Sequence, residues 1–111
     1  MSALGEFEQL VLFAVLRLGE DASGVAIHDE IEARTGRDVS PGAIYTTLGR
    51  LEERGLVHSV VESPPAARVG RPRKRYALRP AGAKALREAY DSIQALAVGM
   101  LPKLSELAKG R

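Results

Sequence analysis

The 111-residue sequence contains no cysteine and no tryptophan. The lack of cysteine excludes disulfide bonds, thiolate metal sites and cysteine nucleophiles. No apolar run approaches the roughly 18 residues that a membrane-spanning helix needs. The first residues, MSALGEFEQL, also lack the basic and apolar regions of a signal peptide. We therefore expect a small cytoplasmic protein.

The net charge of +2 hides an uneven distribution. Residues 1–66 contain 5 Lys/Arg and 11 Asp/Glu, whereas residues 67–79 contain 6 Lys/Arg and no acidic residue. Residues 80–111 contain 5 Lys/Arg and 3 Asp/Glu. The excess positive charge is thus confined to one short segment, RVGRPRKRYALR, which is typical of a contact with a polyanion.

The spacing of apolar residues predicts two helices in the first third of the chain. Residues 6–18 show the 3-4 spacing of an amphipathic helix, which Gly19 ends. Ser23 is a suitable cap for a second helix that continues to about Thr35. The side chains expected to face inward from this second helix are Val25, Ile27 and Ile31.

The segment SPGAIYTTLGRLEERGLV predicts a third helix. Ser40 is a good N-cap, Pro41 falls at the first helical position, and Gly55 lies just past the end. The spacing of Ile44, Leu48 and Leu51 forms a narrow buried stripe. The opposite face carries Gly42, Ala43, Thr46, Gly49 and Arg50, with Tyr45 and Thr47 on the flanks.

That outer face is unusual for a helix that merely faces solvent. Two exposed glycines would each cost about 1 kcal/mol relative to alanine, whereas a helix that enters the major groove of DNA needs small or hydrogen-bonding residues there. The alternative is an ordinary solvated helix. We expect DNA contacts, with Tyr45 and Arg50 carrying more of the base reading than the wing does. The full set of expected contacts on this helix is Ser40, Gly42, Tyr45, Thr46, Thr47 and Arg50.

Alternating apolar residues predict two strands, Val57–Glu62 and Arg75–Arg79, joined by a long loop. The order helix, helix, turn, helix, hairpin, helix predicts a mainly α winged helix-turn-helix, in which the hairpin is the wing. The wing residues expected to contact DNA are Arg68, Arg71, Arg73, Lys74 and Arg75. The sequence Gly70-Arg71-Pro72 also resembles an AT-hook, which binds the minor groove.

Pro80 begins a last helix, so we expect a DNA-binding unit over residues 1–79 and a dimerisation helix over 80–111. Heptad spacing defines the seam Leu86, Tyr90, Ile93, Ala97, Met100, Leu104 and Leu107. Gly99 and Pro102 predict a kink or break in it. The seam either packs along the first helix or joins two chains. We expect a homodimer, because winged helices bind half-sites related by two-fold symmetry.

Four blocks of the sequence resemble the PadR family of transcriptional regulators, of the type with a single C-terminal helix: LGEFEQLVLFAVLRLG, SGVAIHDEIEARTG, VSPGAIYTTLGRLEERGLV and GRPRKRYALRPAG. The resemblance implies a homodimeric repressor that binds an inverted repeat, often at its own promoter. It also implies DNA contacts at Ser40, Gly42, Tyr45, Thr46, Arg50, Arg71, Arg73 and Lys74. Some relatives bind flat aromatic effectors at the dimer interface on a Trp, which this chain lacks.

Other functions have less support. His28 and His58 share no motif, so we expect no metal site. No Ser–His–Asp arrangement, phosphate-binding loop or catalytic carboxylate pair is present, and we expect neither an enzyme nor a cofactor. The acidic residues of the second helix and the pair Glu52-Glu53 are expected to be solvated. The remaining alternative is a winged helix for protein assembly, whose basic loop would bind an acidic partner.

Overall fold

The structure is a computed structural model that describes residues 4–62 and 73–110. The predictions for Arg68 and Arg71 therefore lie outside the described residues. Within those ranges the chain forms five α-helices and two strands, with a short 3-10 turn at Gly19–Asp21. The elements in chain order are α1 (Glu6–Leu18), α2 (Gly24–Thr35), α3 (Pro41–Glu53), β1 (Val57–Glu62), β2 (Arg73–Leu78), α4 (Pro80–Ala97) and α5 (Leu101–Lys109).

Local signals set the bounds of α2 and α3. The Ser23 hydroxyl accepts a hydrogen bond from the backbone N–H of Ala26 at 3.1 Å, which satisfies one free donor at the start of α2. Gly36 ends α2 in the left-handed conformation, at φ 72°. The Ser40 hydroxyl caps α3 in the same way, at 3.1 Å from the N–H of Ala43. The winged helix-turn-helix predicted from the sequence is confirmed.

The core lies between α1, α2 and α3 and is closed by the hairpin. Its fully buried side chains are aliphatic: Val11, Leu12, Val15, Ile27, Ile44, Leu48, Leu51 and Val57. The expectation that the Val25 side chain faces inward was wrong, because it is 63% exposed. Its neighbour Gly24 is buried instead and lies against the ring of Tyr45.

The two strands form an antiparallel hairpin in which Val57 lies opposite Leu78 and Glu62 opposite Arg73. The second edge of β2 is paired as well. The N–H of Tyr76 donates to the carbonyl of Ala22 at 2.9 Å, and Ser23 forms an isolated bridge with Arg75. The wing is therefore fixed to the start of α2, which the sequence pattern did not indicate.

The C-terminal region begins on the core and ends outside it. Leu86, placed in the dimer seam by its spacing, is only 3% exposed because α4 packs this part of its length against the chain's own core; its assignment to a dimer contact is corrected. A break follows α4 at Gly99, which has φ 77°. Pro102 lies in the first turn of α5, where no helical N–H is required.

None of the helices in the described part of the chain combines the length and the hydropathy of a membrane span.

Candidate nucleic-acid interface

The outer face of α3 is open to solvent along its length. Gly42, Tyr45, Thr46, Gly49 and Arg50 are exposed, as is the Ser40 cap. Their small or hydrogen-bonding side chains leave the helix backbone accessible. Arg54, the residue that follows α3, pairs with Glu8 at 3.2 Å, whereas the Arg50 side chain meets no carboxylate in the described ranges.

Nothing in the described part of the chain requires glycine at positions 42 and 49. A Cβ atom added at either position would find no described heavy atom within 4 Å, and neither glycine adopts a positive φ. Alanine would therefore fit both sites and would favour the helix by up to about 1 kcal/mol. The small size of these residues provides room for something outside the chain.

Thr47 is the exception among the predicted contacts on α3. Its side chain is only 7% exposed, on the side of the helix that carries Ile44 and Leu48. The expectation that Thr47 contacts DNA is therefore corrected: the buried stripe is one residue wider than the apolar spacing suggests.

Tyr45 leans across to α2. A Cβ atom added to Gly24 would lie 2.4 Å from Cε1 of Tyr45 and 2.5 Å from its hydroxyl oxygen, so only glycine leaves room for the ring in this position. The ring forms one wall of an open cleft of about 360 Å³ between α2, α3 and the wing. The residues that line the cleft are Ser23, Gly24, Val25, Tyr45, Arg73, Lys74 and Tyr76.

The three described basic residues of the wing differ in exposure and in ion pairing. Arg73 and Lys74 are exposed, whereas Arg75 is half-buried and its Nε lies 3.3 Å from the Glu62 carboxylate. The Lys74 ammonium lies 5.7 Å from the centroid of the buried Tyr76 ring. Burial raises the pKa of Tyr76, so its phenol stays neutral in the physiological range.

A half-buried carboxylate connects α3 to the wing. Glu52 accepts hydrogen bonds from both the N–H and the hydroxyl of Ser59, at 3.2 and 2.8 Å. The expectation that Glu52 is solvated was wrong. Its neighbour Glu53 is exposed as expected.

A comparison with protein families identifies the family of this chain. Residues 12–88 match the model of the "Transcriptional regulator PadR-like family". The chain belongs to the PadR family. This family consists of DNA-binding transcription regulators and not of enzymes, and the resemblance noted in the sequence is thereby confirmed.

Solved structures of PadR proteins share the fold. The chain is 23% identical to a PadR family transcription regulator from Clostridium difficile R20291, with TM-score 0.71, covering 90% of this chain and 99% of that one. A PadR-like regulator from Bacillus cereus is 21% identical, with TM-score 0.70 and coverage of 95% and 93%. A PadR family regulator from Eggerthella lenta is 26% identical, with TM-score 0.65 and coverage of 96% and 88%. Among curated proteins no match was found.

In this PadR protein, a histidine holds the turn that leads into α3. His28 Nε2 lies 2.7 Å from the carbonyl oxygen of Val39, and its Nδ1 lies 3.0 Å from Asp29. The N–H of Val39 donates to Glu32 at 3.3 Å. The hydrogen bond to Asp29, and then that to the Val39 carbonyl, raises the pKa of His28 above 6.5. The described residues contain no group of ligands suited to a metal ion.

Exposed apolar side chains are found on α1, α4 and α5. Phe13 of α1 and Tyr90 of α4 meet edge to face, with ring centroids 6.3 Å apart. They border an apolar groove of about 350 Å³ that Leu16 and Leu86 also line. Ala97 is half-buried, and the remaining seam residues Ile93, Met100, Leu104 and Leu107 are exposed. The heptad spacing missed further exposed apolar residues, namely Leu96, Val98 and Leu101.

Proposed function

We propose that this PadR protein is a repressor that binds an inverted-repeat operator as a homodimer. In this proposal α3 enters the major groove, and the residues that face the DNA from it are Ser40, Gly42, Tyr45, Thr46 and Arg50. Arg73 and Lys74 contact the backbone from the wing. Arg68, Arg71 and Arg75 are included as wing contacts because of the sequence pattern alone. A cytoplasmic location agrees with this role.

The observation that carries the proposal is the open space above Gly42 and Gly49. Glycine in an exposed helix weakens the fold by up to about 1 kcal/mol, and no neighbour among residues 4–62 and 73–110 requires it. A Cβ there would project from α3 toward a bound partner. Close approach to base edges in the major groove is what this face suits.

The homodimer is supported by α5 and by the apolar surface that precedes it. No residue of the nine-residue helix α5 is buried, and an isolated helix of fewer than about 12 residues is marginal in water. Leu96, 85% exposed on α4, adds to the apolar area that needs a cover. A second copy supplies that cover and also brings the second recognition helix that a two-fold operator needs.

Residues 1–79 then form the DNA-binding unit and residues 80–111 the dimerisation unit, except that Leu86 belongs to the first. The resemblance leaves room for a small-molecule effector at the dimer interface, although this chain has no Trp on which a flat aromatic ligand would stack.

Selection from random duplex DNA tests this function. We expect enrichment of an inverted repeat with half-site centres about 10 base pairs or a multiple of that apart, which is the spacing that a two-fold dimer presents to one face of the duplex. A promoter that carries the selected site should lose transcription in a purified system when the protein is added. Failure to enrich any sequence would contradict the proposal and favour an acidic protein partner for the basic wing.

A further inference from the structure

We propose that the cleft between α2, Tyr45 and the wing binds one phosphate of the DNA backbone in each half-site. The Tyr45 hydroxyl and the Lys74 ammonium hold it, with Arg73 at the edge. This inference rests on the proposed function and assigns Tyr45 to positioning the protein on the duplex, in place of the base reading expected from the sequence.

The orientation of Tyr45 is the first argument. The ring is placed over Gly24, where a Cβ would come within 2.4–2.5 Å of three of its atoms. This contact places the end of the phenol, its hydroxyl included, against the first turn of α2. Tyr45 thereby lines the cleft.

The charge of the cleft is the second argument. The described residues that line it include two bases and no acid, although residues 1–62 of the same chain hold 11 Asp/Glu against 5 Lys/Arg. Glu62 pairs with Arg75 and leaves Arg73 and Lys74 without a carboxylate partner in the described ranges. Lys74 and Tyr45 both line the cleft, and an ammonium and a phenol hydroxyl are donors suited to an oxyanion.

The position of the cleft is the third argument. It lies between α3 and the wing, the two elements that the proposed function places on the duplex, so a DNA strand that both contact would pass it. Val25, apolar and 63% exposed, forms its rim and offers a surface on which a deoxyribose packs. A phosphodiester brings both the charge and the sugar that these neighbours fit.

The first experiment compares Tyr45→Phe and Lys74→Ala on the selected operator and on a scrambled duplex. Tyr45→Phe should weaken both complexes by about a hundredfold, because a dimer loses two hydrogen bonds to charged groups, one in each half-site, and should leave their ratio unchanged. Lys74→Ala should flatten the plot of log affinity against log salt by about 1.8, since a dimer neutralises two phosphates fewer. The control Lys84→Ala, an exposed lysine of α4 that does not line the cleft, should leave the slope unchanged.

The second experiment replaces single operator phosphates with uncharged methylphosphonate. One position in each half-site should weaken wild-type binding by about tenfold but have little effect on the Tyr45→Phe/Lys74→Ala double variant, which has already lost that contact. A changed operator-to-scrambled ratio for Tyr45→Phe, or equal sensitivity of the double variant at every position, would overturn the inference and leave the repressor proposal standing. If the wild-type protein enriches no operator sequence but Tyr45→Phe still weakens its binding to DNA, only the proposed function would be overturned.

Discussion

Glu52 at the end of α3 and Ser59 in β1 are joined by two hydrogen bonds to one carboxylate oxygen, at 3.2 Å from the Ser59 N–H and 2.8 Å from its hydroxyl. The strand that carries Ser59 pairs with β2, whose Tyr76 bonds in turn to the carbonyl of Ala22 before α2. Helix α3, the wing and the start of α2 are therefore held as one unit.

Glu52→Ala should lower the free energy of unfolding by about 1–3 kcal/mol, because two donors at the start of the wing lose a charged acceptor. The adjacent exposed residue provides the control. Glu53→Ala should change the free energy by less than about 0.5 kcal/mol. Urea unfolding followed by circular dichroism measures both, and equal values for the two variants would show that the Glu52–Ser59 contact contributes nothing.

Replacing Ile93 and Met100 with Asp should give a monomer that no longer binds the operator. Both side chains are exposed on the apolar surface of the C-terminal region, where an unpaired carboxylate opposes burial against a second chain. Ala95→Asp, on the opposite side of α4, should remain dimeric. Light scattering measures the molar mass of each variant. A double variant that stays dimeric would show that the interface is formed instead by the exposed residues of α1, Phe13 and Leu16.

The stability of the protein should depend on pH through His28. The charged imidazole donates to both Asp29 and the Val39 carbonyl, whereas the neutral ring has a single N–H for these two acceptors. Its pKa is raised in the folded state, so this stabilisation is fully present below the unfolded pKa of about 6.5 and is lost as the pH rises through the folded value.

The gap in unfolding free energy between wild type and His28→Gln should therefore be larger at pH 6 than at pH 8. An NMR titration of the His28 ring should also give a pKa above 6.5. A gap that widens toward pH 8 would contradict the direction of the shift.

Features set by neighbouring residues in the chain were predictable. The caps Ser23 and Ser40, the proline at the start of α3 and the break near Gly99 each depend on a few consecutive residues. The alternation of the two strands was also sufficient to place the hairpin, although β2 starts at Arg73 and not at Arg75.

Features set by contacts between distant elements were not predictable from spacing. Val25 and Thr47 are not such cases, because the helical period already places Val25 on the opposite side from Ile27, two residues on, and puts Thr47 three residues after Ile44 and four before Leu51. Gly82 gives no local signal, yet a Cβ there would lie 2.0 Å from the carbonyl oxygen of Leu56. The Gly24–Tyr45 contact similarly joins two helices, and a helical period contains no information about such a partner.

The central claim is that the outer face of α3 lies against DNA, and the paired variants Gly42→Ala and Gly49→Ala test it most directly. Thermal unfolding and operator affinity are measured on the same preparations. Because a Cβ fits at both sites in the free protein, each variant should be as stable as wild type or more stable by up to about 1 kcal/mol. Each should nevertheless bind the selected operator about tenfold more weakly, because the added methyl group holds the helix away from the base edges. Variants that gain stability and keep wild-type affinity would contradict the claim.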